Sequence, residues 1–404
     1  MEKIRVGLFG LYMRTEFYMI CESFDDVEVV AICDRDKKRV ESFFKKYPDY
    51  KGKVFDNFDD FIDSGLDAVF LLNYFHEHDI FAKIALSKGI HVFSEIAAAP
   101  TMKRCVELCE AVEESGCIYC IGENYPFTAA GYEMKSIVRG GTLGRILYAE
   151  SEYNHLSPAA EMLGRCPGDY HWRRYIPATY YVNHALGPLM YFTEQRPVKV
   201  SAFAVQSYDF MENYKFLKCT DAFGMMNIVT DDGALWRLPG CSRVASPGGT
   251  RLCGDKGTVE RGRFLGNDIY LFYEDWCVPE GKVRAQRYTP AFKKNAAIAN
   301  KTGHSGSDYW VAYNFIEAIR TNTQPFFDVY KGCQMAAVGI LGWKSILNNS
   351  QVYDVPDFID KEEREKYRDD DLNPFVNSAE DVQTLPSSTK DAIAQGYDVA
   401  IPRK

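Results

Sequence analysis

The feature that most constrains the fold is a regular alternation of short apolar runs and helix-length stretches in the first third of the chain. Residues 3–9 are strand-like and lead to Gly10, residues 15–24 have the length of a helix, and residues 27–33 form a second strand-like run. Further apolar runs follow at residues 68–73, 90–95 and 117–123. Continuous apolar strands that alternate with helices are typical of a parallel sheet covered on both faces. The pattern therefore predicts a Rossmann-type α/β domain.

From about residue 144 the pattern changes, because strand-like runs follow one another with fewer helices between them. These runs lie at residues 145–154, 198–206, 224–230 and 257–260. They favour a C-terminal α/β domain with a large, mostly antiparallel open sheet. For a chain of 404 residues we expect a nucleotide-binding-like domain at 1–125, a substrate and catalytic domain at 126–350 and a C-terminal extension at 351–404.

The composition narrows the possible partners. A net charge of -9 argues against nucleic acid and anionic membrane surfaces, which would repel the chain, whereas a small carbohydrate remains compatible. No basic segment followed by an apolar stretch opens the chain, and no apolar run reaches the roughly 18 residues of a membrane span, so we expect a cytoplasmic protein. The 12 cysteines are scattered and many lie in apolar runs, which is typical of reduced, buried thiols.

The turn after the first strand matches a dinucleotide-binding fingerprint in part. That fingerprint has three glycines, for a tight turn, for close approach of the backbone to pyrophosphate and for packing of helix on strand. Gly10 fills the first position, whereas Tyr12 and Thr15 fill the other two. Asp34 follows Gly10 by 24 residues, where it would either hold a ribose diol or cap the next helix. The loop by itself leaves NAD(P) binding open.

The order of motifs over residues 3–350 resembles the Gfo/Idh/MocA superfamily of sugar oxidoreductases. Members of that superfamily carry Glu-Lys-Pro after the fifth strand and a His-x-x-Asp pair in the second domain. This chain has Glu95-Ile-Ala at the first place and His184-Ala-Leu-Gly187 at the second. The resemblance implies a Rossmann domain for NAD(P), with Glu95 beside the cofactor, although the catalytic lysine and the aspartate are replaced.

A closer resemblance is to the branch that contains the NAD-dependent α-N-acetylgalactosaminidases, whose motifs recur here in the same order. They stand as Glu123-Asn124-Tyr125, Tyr153-Asn154-His155, Trp172-Arg173 and Tyr181-Val-Asn-His184-Ala-Leu-Gly187-Pro188. The first departs from the pattern, because Phe127 occupies its Tyr position. A later segment, residues 302–308 with His304, resembles the branch's Gly-His-Gly-Gly-x-Asp. The resemblance implies a carbohydrate substrate and a homo-oligomer formed through the open face of the second sheet.

The second domain contains the residues that we expect to react. In a strand over residues 148–155, alternation would put Tyr153 and His155 on one face. Tyr181 precedes His184 by three positions, a spacing that brings both side chains to one side of a helix. Together with the motif match, this favours His184, assisted by Tyr181, as general base and Tyr153 or His155 as acid. The expected substrate contacts are Glu123, Trp172, Arg173 and His304.

Three of these residues could also bind a metal ion. Glu123, His155 and His184 offer the mixture of carboxylate and imidazole that binds zinc, manganese or iron. They are dispersed along the sequence, so ligand type alone supports a divalent metal. Either this metal or Arg173 would stabilise an enolate.

The altered nucleotide loop and the retained Tyr and His motifs together favour a carbohydrate lyase or hydratase. Such an enzyme would remove a proton beside the carbonyl of a keto-sugar or keto-glycoside without net redox change. One alternative is an NAD(P)-dependent sugar oxidoreductase or an NAD-dependent glycosidase, with Gly10, Tyr12, Asp34 and Glu95 contacting the cofactor. Another is a sugar-binding sensor without turnover.

Overall fold

A computed structural model describes residues 3–206, 216–219, 221–240, 244–264 and 266–381. The chain divides into two compact units. Unit 1 consists of Met1–Pro100, Arg104–Phe127 and Lys294–Cys333. Unit 2 consists of Thr101–Lys103, Thr128–Lys293 and Gln334–Lys404.

The described residues form strands and helices in both units. The strands are β1 (Ile4–Phe9), β2 (Val27–Cys33), β3 (Lys53–Phe55), β4 (Ala68–Leu71), β5 (His91–Ser94), β6 (Tyr119–Ile121), β7 (Ile146–Ser151), β8 (Pro197–Gln206), β9 (Asp221–Thr230), β10 (Leu235–Pro239), β11 (Gly249–Gly254), β12 (Gly257–Gly262), β13 (Ile269–Tyr273), β14 (Ala285–Tyr288) and β15 (Tyr353–Asp354). The α-helices are α1 (Glu16–Cys21), α2 (Lys37–Lys46), α3 (Phe58–Ile62), α4 (His78–Ser87), α5 (Met102–Ser115), α6 (Ala129–Arg139), α7 (Ala159–Arg165), α8 (Asn183–Thr193), α9 (Ala296–Ala299), α10 (Ser307–Thr321), α11 (Val329–Leu347) and α12 (Lys361–Glu365).

Unit 1 is built on a six-stranded sheet in the order β3-β2-β1-β4-β5-β6. Each neighbouring pair is parallel. The central strands are apolar because both faces are covered: all four residues of β4 are buried. Aromatic side chains supply part of the core, and the Phe70 and Phe93 rings stack at 4.5 Å between centroids. The predicted Rossmann-type parallel sheet is confirmed.

The carboxyl ends of the parallel strands place polar residues along one edge of the sheet. Gly10 follows β1, Asp34 follows β2 and Glu95 follows β5. Glu123 and Asn124 come shortly after β6. Open α/β sheets bind ligands outside this edge, so the fold itself gathers the polar residues of unit 1.

Unit 2 contains a nine-stranded sheet, counted over the described residues, in the order β14-β13-β12-β11-β7-β10-β9-β8-β15. The pair β7 and β10 is parallel, and the other pairs are antiparallel. Along β9 buried residues alternate with more exposed ones, which is the pattern of a sheet with one covered face. The predicted mostly antiparallel open sheet is confirmed.

Strand β7 is shorter than the sequence pattern predicts. Its pairing with β11 runs to Ser151 opposite Thr250, and β11 begins one residue earlier, at Gly249. The Glu152 N–H still donates to the Gly249 carbonyl at 2.8 Å, and the regular ladder stops there because its partner strand ends. The prediction of a strand over residues 148–155 is therefore wrong beyond Ser151, and Tyr153 and His155 lie in the connection that follows.

The segment after α11 packs on unit 2 as far as residue 381. Phe358 and Phe375 are buried, and the Lys344 ammonium donates to the Asp370 carboxylate. Residues 382–404 of the predicted C-terminal extension lie outside the described residues. Across the part of the chain that the structure describes, no helix combines the length and apolar character needed to cross a membrane.

Candidate functional site

The turn after β1 requires the glycine at its first position. Gly10 has a φ of +99°, and a Cβ atom there would lie 2.7 Å from the Leu72 carbonyl oxygen. Its N–H donates to the Cys33 carbonyl at 2.9 Å, which fixes the turn to the end of β2. The backbone conformation and the close approach to the end of β4 both exclude a side chain at this position.

Asp34 holds this turn from the end of β2. Its carboxylate accepts the Leu11 N–H at 2.8 Å and the Asp36 N–H at 2.9 Å. The cap of helix α2 is Asp36, which accepts the Lys38 N–H, so Asp34 is not the capping residue. Beside it, the Arg39 guanidinium lies 4.7 Å from the centre of the Tyr12 ring.

Arg14 links the same turn to the end of β5 and to the start of α10. Its backbone is left-handed, with a φ of +65°. The guanidinium donates to Glu95 after β5 at 2.7 Å and to Asp308 in the first turn of α10 at 3.0 Å. Although burial alone would lower it, the charges of Glu95 and Asp308 raise the pKa of Arg14 above its usual value. We call Arg14, Glu95, Asp308 and His304 the ion cluster.

Asp308 is the buried anion of the ion cluster, with no exposed surface. It accepts hydrogen bonds from Arg14 and from Asn124, the latter at 2.6 Å, and lies 2.8 Å from the His304 Nδ1. Burial opposes ionisation, but the His304 hydrogen bond and the Arg14 charge hold the pKa of Asp308 well below its usual range. Gly303 permits this packing, since a Cβ there would lie 2.3 Å from the Asp308 carboxylate.

His304 lies in a tight loop before α10. His304, Ser305 and Gly306 all have positive φ angles, and Gly306 rather than Asp308 is the N-cap of the helix. The hydrogen bond to Asp308 raises the pKa of His304, although burial and the nearby Arg14 charge act to lower it. The side chain remains 45% exposed.

Glu123 and Asn124 follow β6 in unit 1. Glu123 is completely buried, and its carboxylate accepts the Tyr125 N–H at 3.0 Å. Asn124 must present its Nδ2 to the ionised Asp308, because an anionic carboxylate can only accept. The hydrogen bond from the Tyr125 N–H to Glu123 thus helps to shape the loop after β6.

These residues of unit 1 fit the dinucleotide that a Rossmann sheet implies. The strand order places the crevice at the ends of β1 and β4, where Gly10 keeps the tight turn. Asp34 follows β2, which is the position where Rossmann domains hold a ribose diol of the dinucleotide. Glu95 follows β5, in the other half of the sheet. NAD would therefore be held by the Gly10 turn, Asp34 and Glu95.

The expected reactive residues of unit 2 form a compact group of rings. The Tyr153 ring centre lies 4.7 Å from that of His184 and 5.8 Å from that of Tyr181. Tyr181 and His184 are 5.5 Å apart, and the Trp172 and Tyr181 rings stack at 6.4 Å. We call Tyr153, Trp172, Tyr181 and His184 the aromatic cluster. Helix α8 starts at Asn183, so the cluster combines the start of this helix with the connection after β7.

A cavity opens beside the aromatic cluster, with the Trp172 and Tyr181 rings in its wall. Its lining combines aromatic, charged and apolar side chains: His155, Met162, Trp172, Arg173, Ile176, Pro177, Ala178, Tyr181 and Asp221. The Arg173 guanidinium lies 4.3 Å from the Trp172 ring. Asp221, at the start of β9, accepts the Ala178 N–H at 3.2 Å. Aromatic faces with a few polar groups are typical of sites for small ligands.

His155 is in a different electrostatic environment from His304. The Arg165 guanidinium lies 3.2 Å from its Nε2, so this nitrogen accepts a hydrogen bond and the ring proton is on Nδ1. Burial lowers the pKa of His155, and the charges of Arg165 and Arg173 add to this effect. The ring centre lies 5.7 Å from that of Tyr153. His155 is thus a neutral imidazole in the neutral pH range.

The predicted metal site is not supported. Among the residues that the structure describes, no group of three or more His, Cys, Asp or Glu side chains is placed to hold a metal ion. The Glu123 carboxylate accepts a backbone N–H and His155 accepts from Arg165, so both have protein partners. Glu123 also belongs to unit 1, whereas His155 and His184 belong to unit 2.

Comparison with known families agrees with this architecture. Residues 4–123 match the oxidoreductase family with an NAD-binding Rossmann fold, Gfo/Idh/MocA, and residues 265–364 match the C-terminal domain of glycosyl hydrolase 109. The chain therefore contains a Gfo/Idh/MocA-type Rossmann domain followed by a segment similar to the C-terminal domain of glycosyl hydrolase 109. The family 109 resemblance is also confirmed, because the second match lies in the C-terminal half.

Individual relatives of this chain are distant but extend over most of its length. A glycosyl hydrolase family 109 protein from Solibacter usitatus is 25% identical, over 88% of each chain. Glycosyl hydrolase family 109 protein 2 from Akkermansia muciniphila is 25% identical, over 88% of this chain and 83% of its own. The structure of levoglucosan dehydrogenase with NADH and levoglucosan has a TM-score of 0.73 at 15% identity, covering 88% of this chain and all of that one, which shows a shared fold.

Four residues of the two clusters and the cavity were missed or undervalued in the sequence. Arg14 and Asp308 organise the ion cluster, although their positions differ by 294 in the chain. Arg165 sets the tautomer of His155, and Asp221 lines the cavity. Arg165 offered a weak signal, ten residues after His155, whereas the others depend on contacts that tertiary folding creates.

Proposed function

We propose that this chain is an NAD-dependent carbohydrate-active enzyme that cleaves a glycoside through a transient carbonyl, with no net redox change. The relatives named as glycosyl hydrolase family 109 proteins support the substrate class. The NAD-binding family match and the fit of the Gly10 turn support the cofactor. When bound, NAD supplies the reversible hydride acceptance that turns a sugar hydroxyl into a carbonyl.

The observation that carries the proposal is the aromatic cluster, where one imidazole meets two phenols. His184 accepts the proton from the carbon that lies between the carbonyl carbon and the carbon bearing the leaving group. The C–H electron pair forms a carbon–carbon double bond as the bond to the leaving oxygen breaks. Water then adds to the double bond and gives a proton back to the acid that protonated the leaving oxygen. The His184 imidazolium, after exchanging its proton with solvent, protonates the neighbouring carbon, so that the atoms balance.

Tyr153 is the acid in this proposal, in preference to His155. The His155 Nε2 accepts from Arg165 and carries no proton, and its lowered pKa keeps the ring neutral. The Tyr153 hydroxyl can donate to the leaving oxygen, whereas the His155 Nδ1–H donates to the Ser157 Oγ at 3.5 Å. Arg173, whose guanidinium lies over Trp172, contributes positive charge that stabilises the enolate.

The direct test is hydrolysis of a panel of nitrophenyl glycosides by the full chain, with and without added NAD. We expect turnover that depends on NAD, releases nitrophenol and leaves the NADH absorbance unchanged at steady state. His184→Gln should lower kcat by roughly 100- to 10,000-fold while binding NAD like the wild type.

Three other results would contradict the proposal. Stoichiometric accumulation of NADH would indicate a sugar oxidoreductase. Conversion of a 3-keto-glycoside by a protein that never hydrolyses the corresponding unoxidised glycoside in the presence of NAD would indicate the lyase or hydratase that the sequence pattern favours. Sugar binding without turnover of any glycoside, together with unchanged sugar binding in His184→Gln, would indicate a sensor.

A further inference from the structure

The turn after β1 differs from a glycine-rich phosphate-binding turn at two positions. Tyr12 and Thr15 replace the glycines that let bare backbone approach a pyrophosphate. Helix α1 starts only at Glu16 and has six residues, so it gives little help from a helix dipole. A dinucleotide bound here therefore needs positive charge or hydrogen-bond donors from another part of unit 1.

His304 lies beside this turn although it comes from the loop before α10. Its Nδ1 is 3.1 Å from the Arg14 Nη1 and 2.8 Å from the Asp308 carboxylate. Because Nδ1 faces Asp308, Nε2 is on the opposite edge of the ring. Among the described residues Nε2 makes no hydrogen bond, and the side chain is 45% exposed.

The charges around His304 distinguish it from Arg14. Arg14 contacts three carboxylates, those of Glu95, Asp308 and Glu16, the last at 3.5 Å. These carboxylates offset the Arg14 charge and leave it poorly placed to bind an anion. His304 has one close carboxylate, Asp308, and its other neighbours include the Arg14 guanidinium at 3.1 Å and the Tyr125 ring at 6.0 Å. The raised pKa of His304 keeps the imidazolium populated over more of the neutral pH range.

We propose that His304, oriented by Asp308, donates a hydrogen bond from Nε2 to the pyrophosphate of a dinucleotide bound at the turn after β1. The inference rests on the proposed function, since it requires NAD binding by unit 1. It replaces the predicted substrate contact at His304 with a cofactor contact. Asp308 is a positioning residue, because it acts through the imidazole.

The contact makes dinucleotide affinity depend on pH. The facing groups are Asp308, Arg14, Glu95 and Glu16. The pKa of Asp308 is lowered and that of Arg14 is raised, so both stay charged while the His304 imidazolium loses its proton. NAD and ADP-ribose both contain the pyrophosphate, whereas adenosine does not. As the pH rises from about 6 to about 8.5, the Kd values for NAD and ADP-ribose should increase about tenfold, and the Kd for adenosine should not change.

Intrinsic fluorescence titration or calorimetry of the full chain measures these Kd values without turnover. His304→Gln should bind NAD weakly at every pH, like the wild type at high pH. Asp308→Asn should move the loss of affinity to lower pH, because the imidazolium loses its carboxylate partner. His91→Gln is the matched control, since His91 lies at the opposite, amino end of β5 and should leave the pH profile unchanged.

Two results would overturn the inference, and they are distinguishable from failure of the proposed function. NAD binding with a pH-independent Kd, or a pH profile that persists in His304→Gln, would remove the contact while leaving NAD as cofactor. A pH dependence for NAD but not for ADP-ribose would place the titrating contact on the nicotinamide half instead. Absence of NAD binding at any pH would defeat the proposed function together with this inference.

Discussion

Two histidines of this protein show how neighbours decide what an imidazole can do. In unit 1, His304 is paired with the buried Asp308, which raises the pKa of the ring. In unit 2, partial burial of His155 and the nearby charges of Arg165 and Arg173 lower its pKa. The first is suited to carry a positive charge and the second to remain neutral. Since both occur in motif-like segments, the residue type alone does not distinguish them.

The same contrast extends to the groups around them. The ion cluster of unit 1 consists of charges that compensate one another, with Asp308 fully buried. The aromatic cluster of unit 2 consists of phenols, an indole and an imidazole with ring centres within 6.4 Å of a neighbour. Charge is suited to binding a dinucleotide, whereas phenol and imidazole are suited to moving protons.

The largest expected effect tests the proton-moving role of the aromatic cluster. Tyr153→Phe keeps the ring stack but removes the hydroxyl, so kcat for glycoside hydrolysis should fall by roughly 100- to 10,000-fold. Steady-state kinetics with saturating NAD measure it. Tyr148→Phe is the matched control, because this hydroxyl on β7 donates to Glu150 outside the cluster. Equal activity of the two variants would exclude Tyr153 as the acid.

A second prediction tests the charge compensation in unit 1. Asp308→Asn removes the buried anion that Arg14, Asn124 and His304 share, so the free energy of unfolding should fall by about 3 kcal/mol. Urea unfolding followed by circular dichroism measures this loss. Asp67→Asn, which breaks the exposed ion pair with Arg5, should cost less than about 1 kcal/mol. Similar losses of unfolding free energy in both variants would mean that the charges of the ion cluster do not stabilise one another more than an exposed ion pair does.

The pH dependence of this loss has a defined sign. The folded pKa of Asp308 lies below its unfolded value, so its stabilisation is present above the unfolded pKa of about 3.9 and is lost as the pH falls towards the folded pKa. The difference in unfolding free energy between wild type and Asp308→Asn should therefore shrink below about pH 4. Unfolding curves collected across that range measure it. A difference that stays constant down to pH 2, roughly, would contradict the depressed pKa.

The smallest effect sharpens the contrast between the two histidines. Arg165→Gln removes the nearest positive charge from His155, so the pKa of His155 should rise by less than about one pH unit. NMR titration of selectively labelled histidine measures the change, with His304 as the internal reference. A decrease in the pKa of His155 would contradict the assigned influence of Arg165.

The sequence was sufficient for the sheets because their signals are local. Apolar runs such as residues 27–33 define a strand without knowledge of its partners, and β2 has these bounds. The end of β7 could not be predicted, because it depends on where its partner β11 begins. The motif resemblance was what grouped Tyr153, Tyr181 and His184. Strand alternation could not place Tyr153, because β7 ends at Ser151.

The ion cluster shows the limit of local reasoning. Asp308 has the position of a helix cap, and nothing near it in sequence indicates that Arg14 and Asn124 are its partners. Its contacts require the ends of β1 and β6 and the start of α10 to meet, which only the folded sheet provides. The pKa values of His304 and Asp308 depend on these contacts, so they could not be predicted from the sequence either.

The most direct measurement of the central claim is hydrolysis of a glycoside in D₂O, with mass and NMR analysis of the released sugar. Proton abstraction by His184 beside a transient carbonyl predicts one deuterium on the carbon next to the anomeric carbon, while the NADH absorbance at steady state stays unchanged. Release of a sugar without carbon-bound deuterium, at the same rate with and without NAD, would contradict the account.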